Sequence, residues 1–179
     1  AEEWLTINRE SINSINVYPV PDGDTGTNML LTLKAAIQEV KEQKYQSVAE
    51  FTEKLAHGAL LGARGNSGVI LSQMLKGFSD SFKQHKDITA ETMALGLESA
   101  AKKAYSALAH PAEGTMLSVL RDAAQSAVDQ IKTSASVTDT LKVSIDQAEE
   151  SVEKTKEQLQ GRSPKKVIVV PGKIVNIVG

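Results

Sequence analysis

The sequence contains no cysteine, which excludes disulfides, thiolate metal sites and cysteine nucleophiles. Neither sign of charge is in excess, since 20 basic residues stand against 22 acidic ones; this gives no reason to expect nucleic acid or an anionic membrane as the main partner. No apolar run approaches the roughly 20 residues needed to span a bilayer. The N-terminus also lacks the basic and apolar parts of a signal peptide. We therefore expect a soluble, cytoplasmic protein without a membrane-spanning segment.

At 179 residues the chain suits one domain with a substantial core. It opens at Ala1 rather than at an initiator methionine, so we expect a fragment with a truncated start. We divide it into a helical domain over residues 1–160 and an apolar, strand-like tail over residues 161–179. In the tail, a Pro-Gly turn signal separates two β-branched runs. The tail is an added strand pair, the start of a following domain, or residues joined across a gap.

Helical periodicity dominates the larger part of the chain. Small residues such as Ala104 and Ala127 are frequent on the predicted buried stripes, which favours close helix packing in an all-α bundle. Apolar residues recur at three-and-four spacing from about Thr25 onward. The further segments with this pattern are 47–57, 69–84, 89–110, 114–132 and 137–160.

The stretch "NVYPVPDGDTGTNM" opens the first of these helices. Pro19 and Pro21 lock the backbone and remove two amide donors, so the segment is predicted to be a loop. The helix begins near Thr25, with Asp24 or Thr25 as its cap. Two carboxylates, Asp22 and Asp24, thus lie at the positive end of a helix.

Paired carboxylates of this kind suit magnesium, which takes oxygen ligands from one or two carboxylates, phosphates and water. Asn16, Thr25 and Thr27 offer neutral oxygens from the same loop. The alternative is that Asp24 only caps the helix and Asp22 decorates a turn. An aspartyl phosphatase is disfavoured because the two prolines make a poor preceding strand.

A second segment, "GARGNSG" at residues 62–68, is a predicted glycine-rich loop before a helix. Its backbone amides can approach an anion closely, and the helix dipole adds to the attraction. Arg64 supplies a positive charge, while Asn66 and Ser67 offer polar side chains. The pattern is neither a P-loop nor a dinucleotide fingerprint. The alternative is a plain helix connection with a solvated arginine.

A third loop, "HPAEGTMLSVL", places Gly114 and Thr115 at the start of another helix. In an antiparallel bundle three such helix N-termini can gather on one rim and form a metal and phosphate pocket. Met116 would stand near that rim, where it packs on a nucleotide base or simply in the core.

These three motifs, in this order and spacing, resemble the nucleotide-binding domain of the bacterial fatty acid kinases, which is related to the L subunit of dihydroxyacetone kinases. The resemblance covers about residues 12–160. It implies an antiparallel up-and-down eight-helix barrel with ATP bound at one end. It also implies two Mg²⁺ ions held by the predicted loop that carries Asp22 and Asp24, which we call the Asp loop. Val17 stands where the dihydroxyacetone enzymes carry a further metal-binding aspartate.

The resemblance also assigns roles to residues. The implied metal ligands are Asp22, Asp24 and Asn16. The predicted catalytic residues are Asp22, Asp24 and Arg64, of which Arg64 is chosen for its positive charge in the glycine-rich segment. The predicted nucleotide-binding residues are Thr25, Thr27, Asn28, Gly65, Asn66, Ser67, Gly68, Gly114, Thr115 and Met116.

The implied reaction is phosphoryl transfer from ATP to a fatty acid carboxylate presented by a separate lipid-carrying protein. A carboxylate is already ionised at neutral pH and needs no general base. This agrees with three histidines, His57, His85 and His110, that we expect to be solvated or capping. The alternatives are a dihydroxyacetone kinase-type nucleotide subunit or a non-catalytic docking module. A homodimer is left open.

Overall fold

A computed structural model of the chain describes residues 1–16, 21–132 and 136–159, together with the backbone of 166–170 and 173–178; side chains are described as far as residue 154. Val17, Pro19 and the connection from residue 160 to the tail strands lie outside the described residues.

The domain over these residues is all-α, which confirms the predicted fold class. The described part of the chain holds seven helices, where the resemblance implies eight. They are α1 (Glu2–Ser14), α2 (Thr25–Val40), α3 (Val48–Leu61), α4 (Gly65–Phe82), α5 (Ala90–Ser106), α6 (Met116–Gln130) and α7 (Val137–Leu159). Each helix packs on the next one along the chain, and α2 also contacts α4. Among the residues described, no helix is both long and apolar enough to cross a membrane.

Three helices differ most from the sequence expectation. Helix α1 was not predicted. Helix α4 begins at Gly65, so the "GNSG" part of the predicted loop is a first helical turn. Helix α5 was expected to run to His110 but ends at Ser106. The chain turns there, and Leu108 packs against the buried cluster of Ile70, Ala104 and Leu117.

Small side chains let the helices approach closely. Ala36, Ala59, Ala94 and Ala104 are completely buried. A side chain at Gly77 of α4 would come within 2.8 Å of the Ala100 Cα of α5. Backbone atoms cannot give way as a flexible side chain can. The spacing of α4 and α5 therefore depends on the absence of a Cβ atom at Gly77.

The tail strands β1 (Lys166–Val170) and β2 (Lys173–Val178) pair antiparallel, with Lys166 opposite Val178. The register shifts between Ile168 and Val170. The strand pair agrees with the two β-branched runs, and the division of the chain at residue 160 stays a prediction.

A group of charges joins α4 to α5. The Asp80 carboxylate accepts from Lys76 at 2.7 Å and from Lys103 of α5 at 2.9 Å, and it pairs with Lys83 at 2.9 Å. Burial opposes ionisation of Asp80, but hydrogen bonds from the three lysines outweigh it and hold the pKa of the carboxyl well below its usual range.

Because the pKa of Asp80 is depressed in the folded state, its stabilising effect is present above the unfolded value and lost as the pH falls toward the folded one. We expect Asp80→Asn to lower the free energy of unfolding by about 1–2 kcal/mol at pH 7, and the difference from the wild type to shrink below about pH 4. Urea denaturation across this pH range measures it. The control is Asp87→Asn at an exposed loop position; an equal loss there would contradict the role of Asp80.

Candidate functional site

The N-termini of α2, α4 and α6 meet around one cavity of about 550 Å³. This volume is in the range of small-molecule sites. The sequence-predicted residues that line it are Asn16, Asp22, Asp24, Thr25, Gly65, Asn66, Ser67, Thr115 and Met116. The three motifs, which are far apart in sequence, therefore come together as the loop analysis expected.

The carboxylates of the Asp loop are differently placed. Asp22 Oδ1 accepts a hydrogen bond from Asn16 Nδ2 at 2.6 Å. Asp24 occupies the N-cap position of α2, but its side chain makes no capping hydrogen bond. The alternative that Asp24 only caps the helix with its side chain is therefore not supported. Within the described residues the Asp24 carboxylate remains available to a ligand.

The donor set for a metal at this cavity is small. No group of three or more His, Asp or Glu side chains that could hold a metal occurs among the residues the structure describes. Two carboxylates with one amide oxygen do not form a closed cage. They do suit Mg²⁺ that takes its remaining ligands from phosphate and water.

The first turn of α4 borders the cavity through Gly65, Asn66 and Ser67. Arg64 is the N-cap residue and provides no side-chain capping bond. In the part of the chain described, the amides of Gly65, Asn66 and Ser67 have no protein acceptor. Unpaired first-turn amides with a positive helix dipole attract an anion.

Packing between α2 and α4 fixes this turn. The Ser67 hydroxyl donates to the Thr25 carbonyl at 3.3 Å, and the Arg64 amide donates to Thr32 Oγ1 at 3.2 Å. A side chain at Gly68 would collide with the Thr32 hydroxyl. Small residues are therefore needed here for close packing as well as for anion access.

Five predicted site residues lie outside the cavity lining: Arg64, Thr27, Asn28, Gly68 and Gly114. The Arg64 side chain is exposed. Thr27 exchanges two hydrogen bonds with Asn13 of α1, at 3.0 and 3.1 Å, and so joins α1 to α2. The Asn28 side chain packs against Gly65. Gly114 has a φ of +75°, a conformation that favours glycine.

Sequence reasoning missed the apolar half of the cavity. Val69 and Ile70 lie one turn beyond Gly65 and Asn66, so helical spacing from the glycine motif could have indicated them. The other missed residues are Leu108, Ala109, His110 and Ala112 of the connection between α5 and α6, and Leu117 in the first turn of α6. A cavity with one polar and one apolar side suits a ligand that has both characters.

His110 was expected to be a solvated or capping residue. It is exposed, and it also lines the cavity. Because α5 ends early, the connection after Ser106 carries this imidazole to the cavity.

Comparisons with known proteins show the family of the chain. The sequence profile of the DAK2 domain matches residues 19–164. Uncharacterized proteins of Staphylococcus epidermidis (strain ATCC 12228) and Staphylococcus haemolyticus are each 41% identical over 151 residues, which is 84% of this chain and 27% of the relative. One from Staphylococcus aureus (strain RF122) is 40% identical, over 84% of this chain and 28% of the relative. The chain thus spans about a quarter of these relatives, and it belongs to the DAK2 domain family.

Proposed function

We propose that this chain is a kinase domain that binds ATP with magnesium and donates a phosphoryl group to an acceptor held by a separate protein. The DAK2 family match supports a nucleotide-binding subunit of the dihydroxyacetone kinase type. The observation that carries the proposal is the meeting of three helix N-termini and two aspartates around one cavity. Phosphoryl transfer depends mainly on positioning and on charge stabilisation, which such an arrangement provides.

Asp22 and Asp24 would hold the metal, with the Asn16 amide oxygen beside them. We propose two Mg²⁺ ions, which would neutralise charge on the nucleotide phosphates when bound. The free carboxylate of Asp24 fits this role because its side chain does not cap α2. The hydrogen bond from Asn16 holds Asp22 in place, which limits the motion lost on binding.

Residues of α4 would hold the phosphates. Gly65, Asn66 and Ser67 line the cavity, and their amides have no protein acceptor in the described chain. On the apolar side, Ile70 and Met116 offer a surface on which a nucleotide base can pack. The two sides of the cavity therefore match the two ends of a nucleotide.

For the acceptor, we propose a fatty acid carboxylate carried by a lipid-binding protein, which gives an acyl phosphate. This choice rests on the sequence resemblance around "NVYPVP". The family match favours the dihydroxyacetone type more directly, and its hydroxyl acceptor would need a group to remove a proton. His110 lines the cavity and is a candidate for that group.

We further propose that in the full-length protein the helices close into an antiparallel barrel of eight. Because ATP and Mg²⁺ are abundant in the cytoplasm, we propose that the domain acts there. A homodimer remains an open proposal, which sedimentation of the full-length protein would decide.

The metal-binding role of the Asp loop is tested by the double variant Asp22→Asn, Asp24→Asn. We expect it to weaken magnesium-dependent ATP binding at least about tenfold, because two negative charges facing the metal are lost. Calorimetry with and without Mg²⁺ measures the affinity, and circular dichroism checks that helix content is retained. The control is Asp146→Asn, at an exposed position of α7 that does not line the cavity. Unchanged affinity in the double variant would refute the metal site.

Arg64 is tested separately. Because its side chain is exposed and outside the cavity lining, we expect Arg64→Ala to change the affinity for MgATP by less than about threefold. A loss of tenfold or more would instead assign it a phosphate contact. Arg64→Lys, which keeps the charge, would then show whether charge alone is sufficient.

The acceptor is identified by comparing two assays of ADP release from MgATP. One contains a fatty acid bound to a lipid-carrying protein, and the other contains dihydroxyacetone with a substrate-binding subunit. We expect turnover in the first assay, with an acyl phosphate that hydroxylamine traps. Turnover in the second assay alone would establish the dihydroxyacetone-type reading.

A further inference from the structure

A cluster of polar side chains lies beside the connection between α5 and α6, outside the cavity. We call it the Glu113 cluster; it consists of Tyr105, Glu113, Ser118 and Arg121. Glu113 Oε1 accepts from the Tyr105 hydroxyl at 3.1 Å. Glu113 Oε2 accepts from the Ser118 hydroxyl at 2.7 Å and from Arg121 Nη1 at 2.7 Å. One carboxylate thus joins the end of α5 to the first two turns of α6.

The cluster is anchored to the helices around it. Arg121 Nη1 also donates to the Tyr105 hydroxyl at 3.1 Å, and the guanidinium lies 5.9 Å from the Tyr105 ring centroid. Arg121 donates to Asp122 at 3.1 Å, and Asp122 accepts from Ser151 of α7 at 2.8 Å. Through these contacts the Glu113 cluster joins α5 to α6 and, by way of Asp122, is linked to α7.

The cluster also fixes the backbone that borders the cavity. The Ser118 hydroxyl, buried and bonded to Glu113, accepts from the Gly114 amide at 2.9 Å. The hydroxyl of Thr115, the residue after Gly114, donates to the Ala112 carbonyl at 2.8 Å. Ala112 and Thr115 line the cavity, on either side of Glu113, whereas no member of the cluster does. The structural link between Glu113 and a ligand in the cavity therefore runs through the backbone of residues 112–116.

We infer that Glu113 is a positioning residue for the nucleotide cavity, one that holds the start of α6 in the geometry that binds the nucleotide. This inference rests on the proposed function. Met116 and Leu117 follow within one turn of the fixed Gly114, so displacement of Gly114 moves the apolar wall against which the base packs. A fixed wall lowers the ordering cost of binding.

The charge state of Glu113 supports this role. Hydrogen bonds from the Ser118 hydroxyl and from the Arg121 guanidinium lower the pKa of its carboxyl. The side chain is therefore ionised at neutral pH and accepts from all three donors, although it is 62% exposed.

The test compares Glu113→Ala and Glu113→Gln with Glu98→Ala. Glu98 is a matched control because it forms an ion pair of 2.7 Å with Lys102 on the same face of α5 but has no bond to the connection before α6. Calorimetry measures the affinity for MgATP, urea denaturation measures stability, and amide hydrogen exchange at Gly114 reports the local backbone. We expect Glu113→Ala to weaken MgATP binding about tenfold and to speed Gly114 exchange, with a smaller effect for Glu113→Gln.

The outcomes separate the positioning role of Glu113 from the proposed function of the domain. Loss of affinity in a folded Glu113→Ala variant, with Glu98→Ala unchanged, supports positioning. Affinity within twofold of the wild type overturns the positioning role and leaves the proposed function intact. A wild type that binds no MgATP overturns the proposed function and this inference with it. If Glu113→Ala does not fold, the two single variants Tyr105→Phe and Glu113→Gln are measured in its place. Weaker MgATP binding in these variants supports the inference, and unchanged MgATP binding overturns it.

Discussion

Close approach between helix backbones is the constraint on which the site depends. A side chain at Gly26 would collide with the Arg9 carbonyl of α1, and one at Gly58 or Gly62 would collide with Ala35 of α2. Each of these glycines removes the atom that would force neighbouring helices apart. Because α1 to α4 approach in this way, the first turns of α2 and α4 come near enough for the Ser67 hydroxyl to bond to the Thr25 carbonyl. The cavity lies where this approach brings the helix ends together.

The electrostatics of the cavity follow from that arrangement. Three helix N-termini contribute partial positive charge, and the unpaired amides of α4 add directed donors. Asp22 and Asp24 place negative charge at the same end of the molecule. Phosphate is attracted by the first set and repelled by the second, unless a cation lies between them. A magnesium-bound nucleotide would satisfy both sets, and for this reason we propose it as the ligand rather than a free anion.

Particular residues show how much of the structure could be predicted from sequence patterns. Apolar spacing gave helices α2 to α7, and Ser47, Thr89 and Thr115 cap their helices with hydrogen bonds to first-turn amides. Helix α1 was not predicted; most of its residues are polar, and Leu5 is its one buried side chain. The "GNSG" segment was predicted to be a loop, but it forms the first turn of α4, where a side chain at Gly65 or Gly68 would collide with Asn28 or Thr32 of α2.

The sequence by itself determined the all-α class, the three motifs and most of the polar cavity residues, because local periodicity, capping and the chemistry of Asp and Gly are properties of short segments. Only the tertiary structure decided that Arg64 and Thr27 lie outside the cavity lining and that Ile70 and His110 belong to it. It also decided that the Glu113 carboxylate joins the end of α5 to the start of α6. These facts depend on where helices end and how closely they pack, which arises from contacts between residues far apart in sequence.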